Sequence, residues 1–177
     1  MRVRIAVTGR PGIGKSTVIR KVVARLKAEG VSVGGMLSSN IRKGGRRVGF
    51  EILDVASGRR GVLAYIGLEG PRIGKYGVNM QDLEGIGVTA IRNATQFADV
   101  VVIDEIAPME MKSEKFAAAV EGALISKKHM FVSVHHNLRH ELAMRVKEEF
   151  ELFEVTIMNR EGLPELISEK YLRALRA

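Results

Sequence analysis

Gly9-Arg10-Pro11-Gly12-Ile13-Gly14-Lys15-Ser16, with Thr17 behind it, satisfies G-x-x-x-x-G-K-[ST] at every fixed position. Glycine at the fixed positions allows backbone conformations closed to other residues, so that consecutive N–H groups can curl around phosphate oxygens. A helix starting near Lys15 would aim its positive end at the same anion. Lys15 adds a mobile cation for the β- and γ-phosphates, and the Ser16 hydroxyl is a hard oxygen donor suited to Mg²⁺. The flanks supply the context that this pattern needs. Val3, Ile5 and Val7 alternate as in a short strand, and Val18, Ile19, Val22, Val23 and Leu26 form one stripe of a helix over 15–29 that stops at Gly30. Thr8 to Thr17 are therefore the expected phosphate-binding residues of a P-loop.

Outward from this unit, apolar β-branched runs alternate with stretches of helical period, which predicts an α/β fold with a mostly parallel central sheet flanked by helices. Strands are expected at 31–37, 100–103, 130–134 and 153–157. Helices are expected around Val88–Phe97, Phe116–Leu124, Leu138–Phe150 and Leu163–Leu175, the last with Pro164 in its first turn. Residues 38–65 differ: Lys43-Gly44-Gly45-Arg46 and Ala56-Ser57-Gly58-Arg59 read as turns of an antiparallel β-meander inserted into the layout. Residues 66–79, with Gly67, Gly70, Gly74 and Gly77, read as a long surface loop. No repeat, low-complexity tract or linker divides the 177 residues, so a single domain over 1–177 is expected.

Val100-Val101-Val102-Ile103-Asp104-Glu105 is the second chemical signal. Four apolar residues would bury a central strand, and two carboxylates would emerge at its C-terminal end, the edge where open parallel sheets bind ligands. Asp104 is placed to share Mg²⁺ with Ser16, and Glu105, one residue on, to take the proton of an attacking water. A strand-end acid is often only solvated; the complete loop at 9–16 is what gives this pair its meaning.

Composition narrows the classes further. Without Cys there is no disulfide scaffold, thiol nucleophile or Cys-bound zinc. The first residues lack the apolar run of a secretory signal, and no 18-residue apolar segment appears, so a soluble cytoplasmic protein is expected. The net charge of +8 is uneven: residues 1–61 carry fourteen Lys and Arg against three acids. A basic patch of this kind suits polyphosphate or nucleic acid, but also a merely solvated face.

Taken together, the loop around Lys15 and Ser16, Gly49-Phe50-Glu51-Ile52, Gly74-Lys75-Tyr76, Asp104-Glu105-Ile106-Ala107-Pro108-Met109-Glu110 and Asn159-Arg160 resemble the THEP1 family of nucleoside-triphosphatases over nearly the whole chain. The resemblance implies a RecA-like P-loop fold, Mg²⁺, and hydrolysis of several nucleoside triphosphates with little base selectivity. Ala107 departs from the glycine usual in that family.

Four other candidates arise. Arg10 is a second cation within reach of a γ-phosphate, or an exposed loop residue. Lys75 and Tyr76 could close over the nucleotide. Arg160 could stack on a base, the plainer reading being a capping Asn159 beside an exposed Arg. His136 and His140 have an i, i+4 zinc-like spacing but lack the Glu and the third ligand of a catalytic site, so they are read as solvated. Two rivals to a hydrolase stand: a small-molecule or nucleoside kinase using the same loop, and an ATP-gated nucleic-acid-binding module built on Arg42, Lys43, Arg46, Arg47, Arg59 and Arg60. Only Phe50 and Tyr65 lie near these cations as aromatics, so the second rival is not favoured. The sequence is silent on oligomeric state.

Overall fold

Strand β1 (Arg4–Thr8) runs into the Gly-rich loop, and α1 (Lys15–Ala28) leaves it, burying the predicted stripe from Val18 to Leu26. The chain then forms β2 (Val33–Lys43), β3 (Arg46–Asp54), β4 (Arg60–Ile66), β5 (Arg72–Ile73) and β6 (Tyr76–Val78). A composite helix follows: α2 (Met80–Asp82), a π-helical turn (Leu83–Val88) and α3 (Thr89–Phe97). After it come β7 (Val100–Ile106), a 3₁₀ turn (Glu110–Lys112), α4 (Glu114–Ile125), β8 (His129–Val134), α5 (Glu141–Glu149), β9 (Glu151–Glu154) and α6 (Leu163–Arg176). This computed structural model describes all 177 residues.

All nine strands join one mixed sheet in the order β5-β6-β4-β3-β2-β7-β8-β1-β9. From β2 to β9 the pairs are parallel, and from β2 to β5 they are antiparallel. The α/β fold expected from the alternation is present, and β8 stands between β1 and β7 in the RecA-like order. Strand β7 shows why its sequence is apolar throughout. Val100 and Val102 face a core shared with α1 and α6, while Val101 and Ile103 face a second core under α3, α4 and α5. A strand covered on both faces has no polar side to show. Tyr171, fully buried on α6, donates its hydroxyl to the Met130 carbonyl and so satisfies its one polar atom.

Several boundaries differ from the sequence reading. The strand expected at 31–37 continues without a break to Lys43, so the meander is an outgrowth of β2 in the same sheet. Residues 66–79 are not a long loop, because β5 and β6 form a hairpin that extends the sheet edge. Their glycines serve turns and close approach: Gly74 turns with φ +57°, and a Cβ on Gly77 would lie 1.8 Å from the Leu68 carbonyl oxygen. The last strand is Glu151–Glu154 rather than 153–157, since its pairing with β1 ends at Thr8, where the Gly-rich loop departs; Ile157 is 64% exposed. Helix α5 omits Leu138 because the His140 Nδ1 caps it, accepting from the Leu142 N–H. Phe97, expected on a helix's apolar stripe, is 78% exposed at the end of α3.

Candidate active site

The C-terminal ends of β1, β8, β7 and β2 meet at one cavity of about 530 Å³. Pro11, Gly12, Gly14, Lys15, Ser16 and Thr17 line one side, and Asp104 and Glu105 stand opposite. Helix α1 opens at Gly14 (φ +117°) with no side-chain cap and no acid in its first turn. No acceptor in the chain receives the amides of Gly14, Lys15, Ser16 or Thr17. Such a helix start leaves several donors and a positive potential for an anion.

Lys15 is nearly buried. Its Nζ donates to the Gly9 carbonyl (3.2 Å) and pairs with Glu105 Oε2 (3.3 Å). The Ser16 hydroxyl donates to Asp104 Oδ2 at 2.8 Å, across 88 residues of chain. Ser133 donates to Asp104 Oδ1 at 2.7 Å from the neighbouring strand. Asp104 is 2% exposed, and its carboxyl is pushed above the usual range by burial and, less, by Glu105; the two serine hydroxyls and Arg20 oppose this. Ser16 and the desolvated Asp104 thus bring two hard oxygen donors together, while the adjacent Glu105 takes the lysine.

The remaining candidates separate from these. The Thr8 hydroxyl is taken by the Val134 carbonyl (3.0 Å), and Gly9 contributes its own carbonyl to Lys15. Ile13 is buried in the core under α1, and Arg10 is exposed; neither they nor Thr8 and Gly9 line the cavity. Asn159 ties the turn after β9, accepting from Thr156 N–H and donating to the Glu154 carbonyl (2.8 Å each). It does not cap α6, whose N-cap is Gly162. Arg160 beside it reaches back to the Ile13 carbonyl (3.4 Å) with its side chain 42% exposed. Lys75 and Tyr76 are not a flap: Tyr76 is buried in β6, against Phe50, and hydrogen-bonded to Arg47. Ala107 is buried with negative φ, so no glycine conformation is required there.

The cavity also contains residues that the sequence reading did not place there. Because β2 runs past β7, it brings Ser38, Ser39, Asn40 and Arg42 to the rim, and β3 adds Arg47 and Phe50. Arg20 enters from α1, with Nη2 donating to the Ser38 carbonyl (2.7 Å). Ser133 does not line the cavity but holds Asp104 from behind it through its hydroxyl. Its signal was legible as a lone hydroxyl inside the apolar run from Met130 to Val134. His135 lines the cavity and stacks on His136 (5.0 Å); burial, then Lys15, holds its imidazole below the usual pKa.

Glu110 is a further buried acid, 2% exposed, with Oε2 lacking any partner. Burial first, then Glu105, pushes its carboxyl well above the usual range. The folded state therefore keeps a proton that the unfolded chain releases once pH exceeds about 4.5. This group's contribution is full below that pH and declines as pH rises toward the folded pKa. Glu110→Gln removes the linked proton. In metal-free buffer, its unfolding free energy relative to the parent should rise with pH above about 4.5, by at most about 1.4 kcal/mol per pH unit. Urea titrations at several pH values give the two curves; parallel curves would show that Glu110 carries no such proton.

A free-amide loop with its lysine, facing paired acids one strand beyond its neighbour, defines the class of P-loop nucleotide-binding proteins. A family model described as NTPase matches residues 4–168. The nucleoside-triphosphatase THEP1 of Methanosarcina acetivorans is 49% identical over 97% of this chain and 98% of its own. That of Methanocaldococcus jannaschii is 40% identical over 98% and 99%. The crystal structure of THEP1 from Aquifex aeolicus superposes with a TM-score of 0.83 at 28% identity, over 93% of this chain and 96% of that one. A solution structure of a human cancer-related nucleoside triphosphatase gives 0.77 at 34% identity, over 95% and 96%. The chain belongs to the THEP1 family of nucleoside-triphosphatases. No helix is long and apolar enough to cross a membrane.

Proposed function

We propose that this cavity binds the Mg²⁺ complex of a nucleoside triphosphate and hydrolyses it to diphosphate and phosphate, with little selectivity for the base. The observation that carries the reading is the set of unclaimed amides from Gly14 to Thr17 beside the Lys15–Glu105 pair. In this reading the amides hold the phosphates, and Lys15 exchanges Glu105 for phosphate oxygen. Glu105, released from the lysine, orients a water and accepts its proton as that water attacks phosphorus. The water oxygen–phosphorus bond forms, the bond to the bridging oxygen breaks, and the diphosphate leaves. Lys15 and the amides stabilise charge that grows on the phosphoryl and leaving oxygens.

The donors also fit Mg²⁺. The chain gathers no cluster of three or more His, Cys, Asp or Glu side chains, as a dedicated protein cage would need. It offers the Ser16 hydroxyl and the Asp104 carboxylate, the small oxygen set to which Mg²⁺ adds water and substrate phosphate. Bound there, Mg²⁺ supplies neutralisation of phosphate charge. Tolerance of the base is consistent with Arg160, whose half-exposed guanidinium beside the loop can stack on any base plane.

The nucleic-acid reading is weaker, since one aromatic face that could stack a base is occupied: Arg47 and Tyr76 cover Phe50. Lys43 additionally lies near Tyr65, and Arg60 pairs with Glu51. Phosphate release from ATP, GTP, CTP and UTP, with and without hydroxyl acceptors, tests the proposal. Release that depends on an acceptor would mean a kinase. In the same assay, Asp104→Asn should raise the half-maximal Mg²⁺ concentration on the order of tenfold, as a neutral amide is a poorer ligand for a hard cation. Overlapping Mg²⁺ titrations would remove Asp104 from the metal site.

A further inference from the structure

Four arginines lie around the loop or its cavity at positions that the nucleotide-binding motif does not explain, and their free valences differ. Arg20 donates to the Ser38 carbonyl, Arg42 to the Gly45 carbonyl and Arg160 to the Ile13 carbonyl, each through a terminal guanidinium nitrogen. Arg47 uses only Nε, which donates to the Tyr76 hydroxyl at 3.0 Å. Both of its terminal nitrogens are left without a protein partner, and no carboxylate pairs with it. Its guanidinium carbon sits 4.9 Å from the centre of the Phe50 ring and 5.7 Å from that of Tyr76. The two rings meet edge to face at 5.2 Å, and Tyr76 is buried. An exposed arginine is thus held by its stem and its Nε, with the two-pronged end free and its charge uncompensated. That end is the part that recognises phosphoryl oxygens bidentately.

Its place in the sheet gives the direction. The loop leaves β1, Glu105 lies near the end of β7, and Arg47 stands on β3, beyond β2. In strand order from the loop, Glu105 on β7 comes first and Arg47 on β3 afterwards. On the hydrolase reading the γ-phosphoryl group faces Glu105, and the strand order then puts Arg47 on the side of the cavity away from the loop. We propose that Arg47 is a catalytic residue, supplied within the same chain, whose terminal nitrogens contact the γ-phosphoryl oxygens as the group transfers. This rests on the hydrolase reading above and adds to it the second cation of the reaction. Tyr76 and Phe50 are positioning residues that keep the guanidinium aimed.

The test compares the parent with Arg47→Ala, Arg47→Lys and Tyr76→Phe. It reads phosphate release under saturating MgATP, and calorimetric affinity for MgADP with and without aluminium fluoride, which mimics the transferring group. For Arg47→Ala, kcat should fall on the order of 10²–10³, below the span of an arginine finger because Lys15 already supplies part of the charge. MgADP affinity should stay within about threefold, while the gain in affinity from aluminium fluoride falls by about 10²-fold, since the interaction belongs to the transition state. Arg47→Lys should recover little, because an ammonium lacks the planar fork. Tyr76→Phe should lower kcat only several-fold, about what loss of one orienting hydrogen bond implies. A kcat and an aluminium fluoride gain for Arg47→Ala that match the parent would overturn the inference while leaving the hydrolase intact. So would near-complete recovery in Arg47→Lys. A parent that releases no phosphate and gains nothing from aluminium fluoride would instead overturn the hydrolase reading, and this inference with it.

Discussion

Lys15→Ala should lower triphosphate turnover by at least about 10³-fold and weaken triphosphate binding as well. The ammonium is seated inside the Gly-rich loop, with the Gly9 carbonyl and Glu105 as its partners. Truncation leaves the amides from Gly14 to Thr17 in place, so some phosphate affinity persists, but the charge that follows the phosphoryl group through the reaction is gone. Arg47 does not substitute, since it stands on β3, across Glu105 from the loop. The fold should tolerate the change: Glu105 is a quarter exposed and can be solvated once its partner is removed. Phosphate release from a variant with parental melting temperature is the decisive measurement. Turnover within about tenfold of the parent would be too small a loss for a group that stabilises the transferring phosphate, and would exclude that role for Lys15.

What could be read from the chain and what could not divide along the range of the interactions. The loop, the strand before it and the helix after it lie within residues 3–29, and their glycines and apolar period are local signals. Asp104 and Glu105 announce themselves by ending an apolar run. Their meeting with Ser16 and Lys15 depends on β8 inserting between β1 and β7, which no local pattern states, yet the P-loop context implies it. The meander was legible as antiparallel hairpins because its turns carry Gly. Its contribution to the site was not, because that follows from β2 continuing from a parallel pairing with β7 into an antiparallel pairing with β3. Arg47 consequently read only as one of the meander's cations, offered to a nucleic acid or to solvent. Gly70, Gly74 and Gly77 misled in the opposite direction. Glycine marks mobile loops and close backbone approaches alike, and only the contact of Gly77 with Leu68 separates the two.

Glu105→Gln separates chemistry from binding more cleanly than any other substitution in the site. The amide keeps the shape of the side chain and can hydrogen-bond a water, but it cannot accept that water's proton. The loop, Lys15, Ser16 and Asp104 are untouched, so MgATP should bind with similar affinity, or more tightly, because Lys15 no longer has a carboxylate competing for it at 3.3 Å. Turnover should nevertheless fall on the order of 10²–10⁴, the contribution of a well-placed general base. Two other roles for Glu105 predict different pairings. If it only holds the strand end, stability or nucleotide affinity changes and bound nucleotide still turns over. If it acts by orienting a metal ligand, excess Mg²⁺ restores most of the rate. Asp104 already has Ser16 and Ser133 on its two oxygens, which leaves Glu105 no direct part in that arrangement. Single-turnover hydrolysis beside equilibrium nucleotide binding, repeated at high Mg²⁺, resolves the three. Bound nucleotide hydrolysed within about threefold of the parental rate would assign the base to another group. His135 would be the first to test, because it lines the same cavity with an imidazole held below its usual pKa by burial and by Lys15.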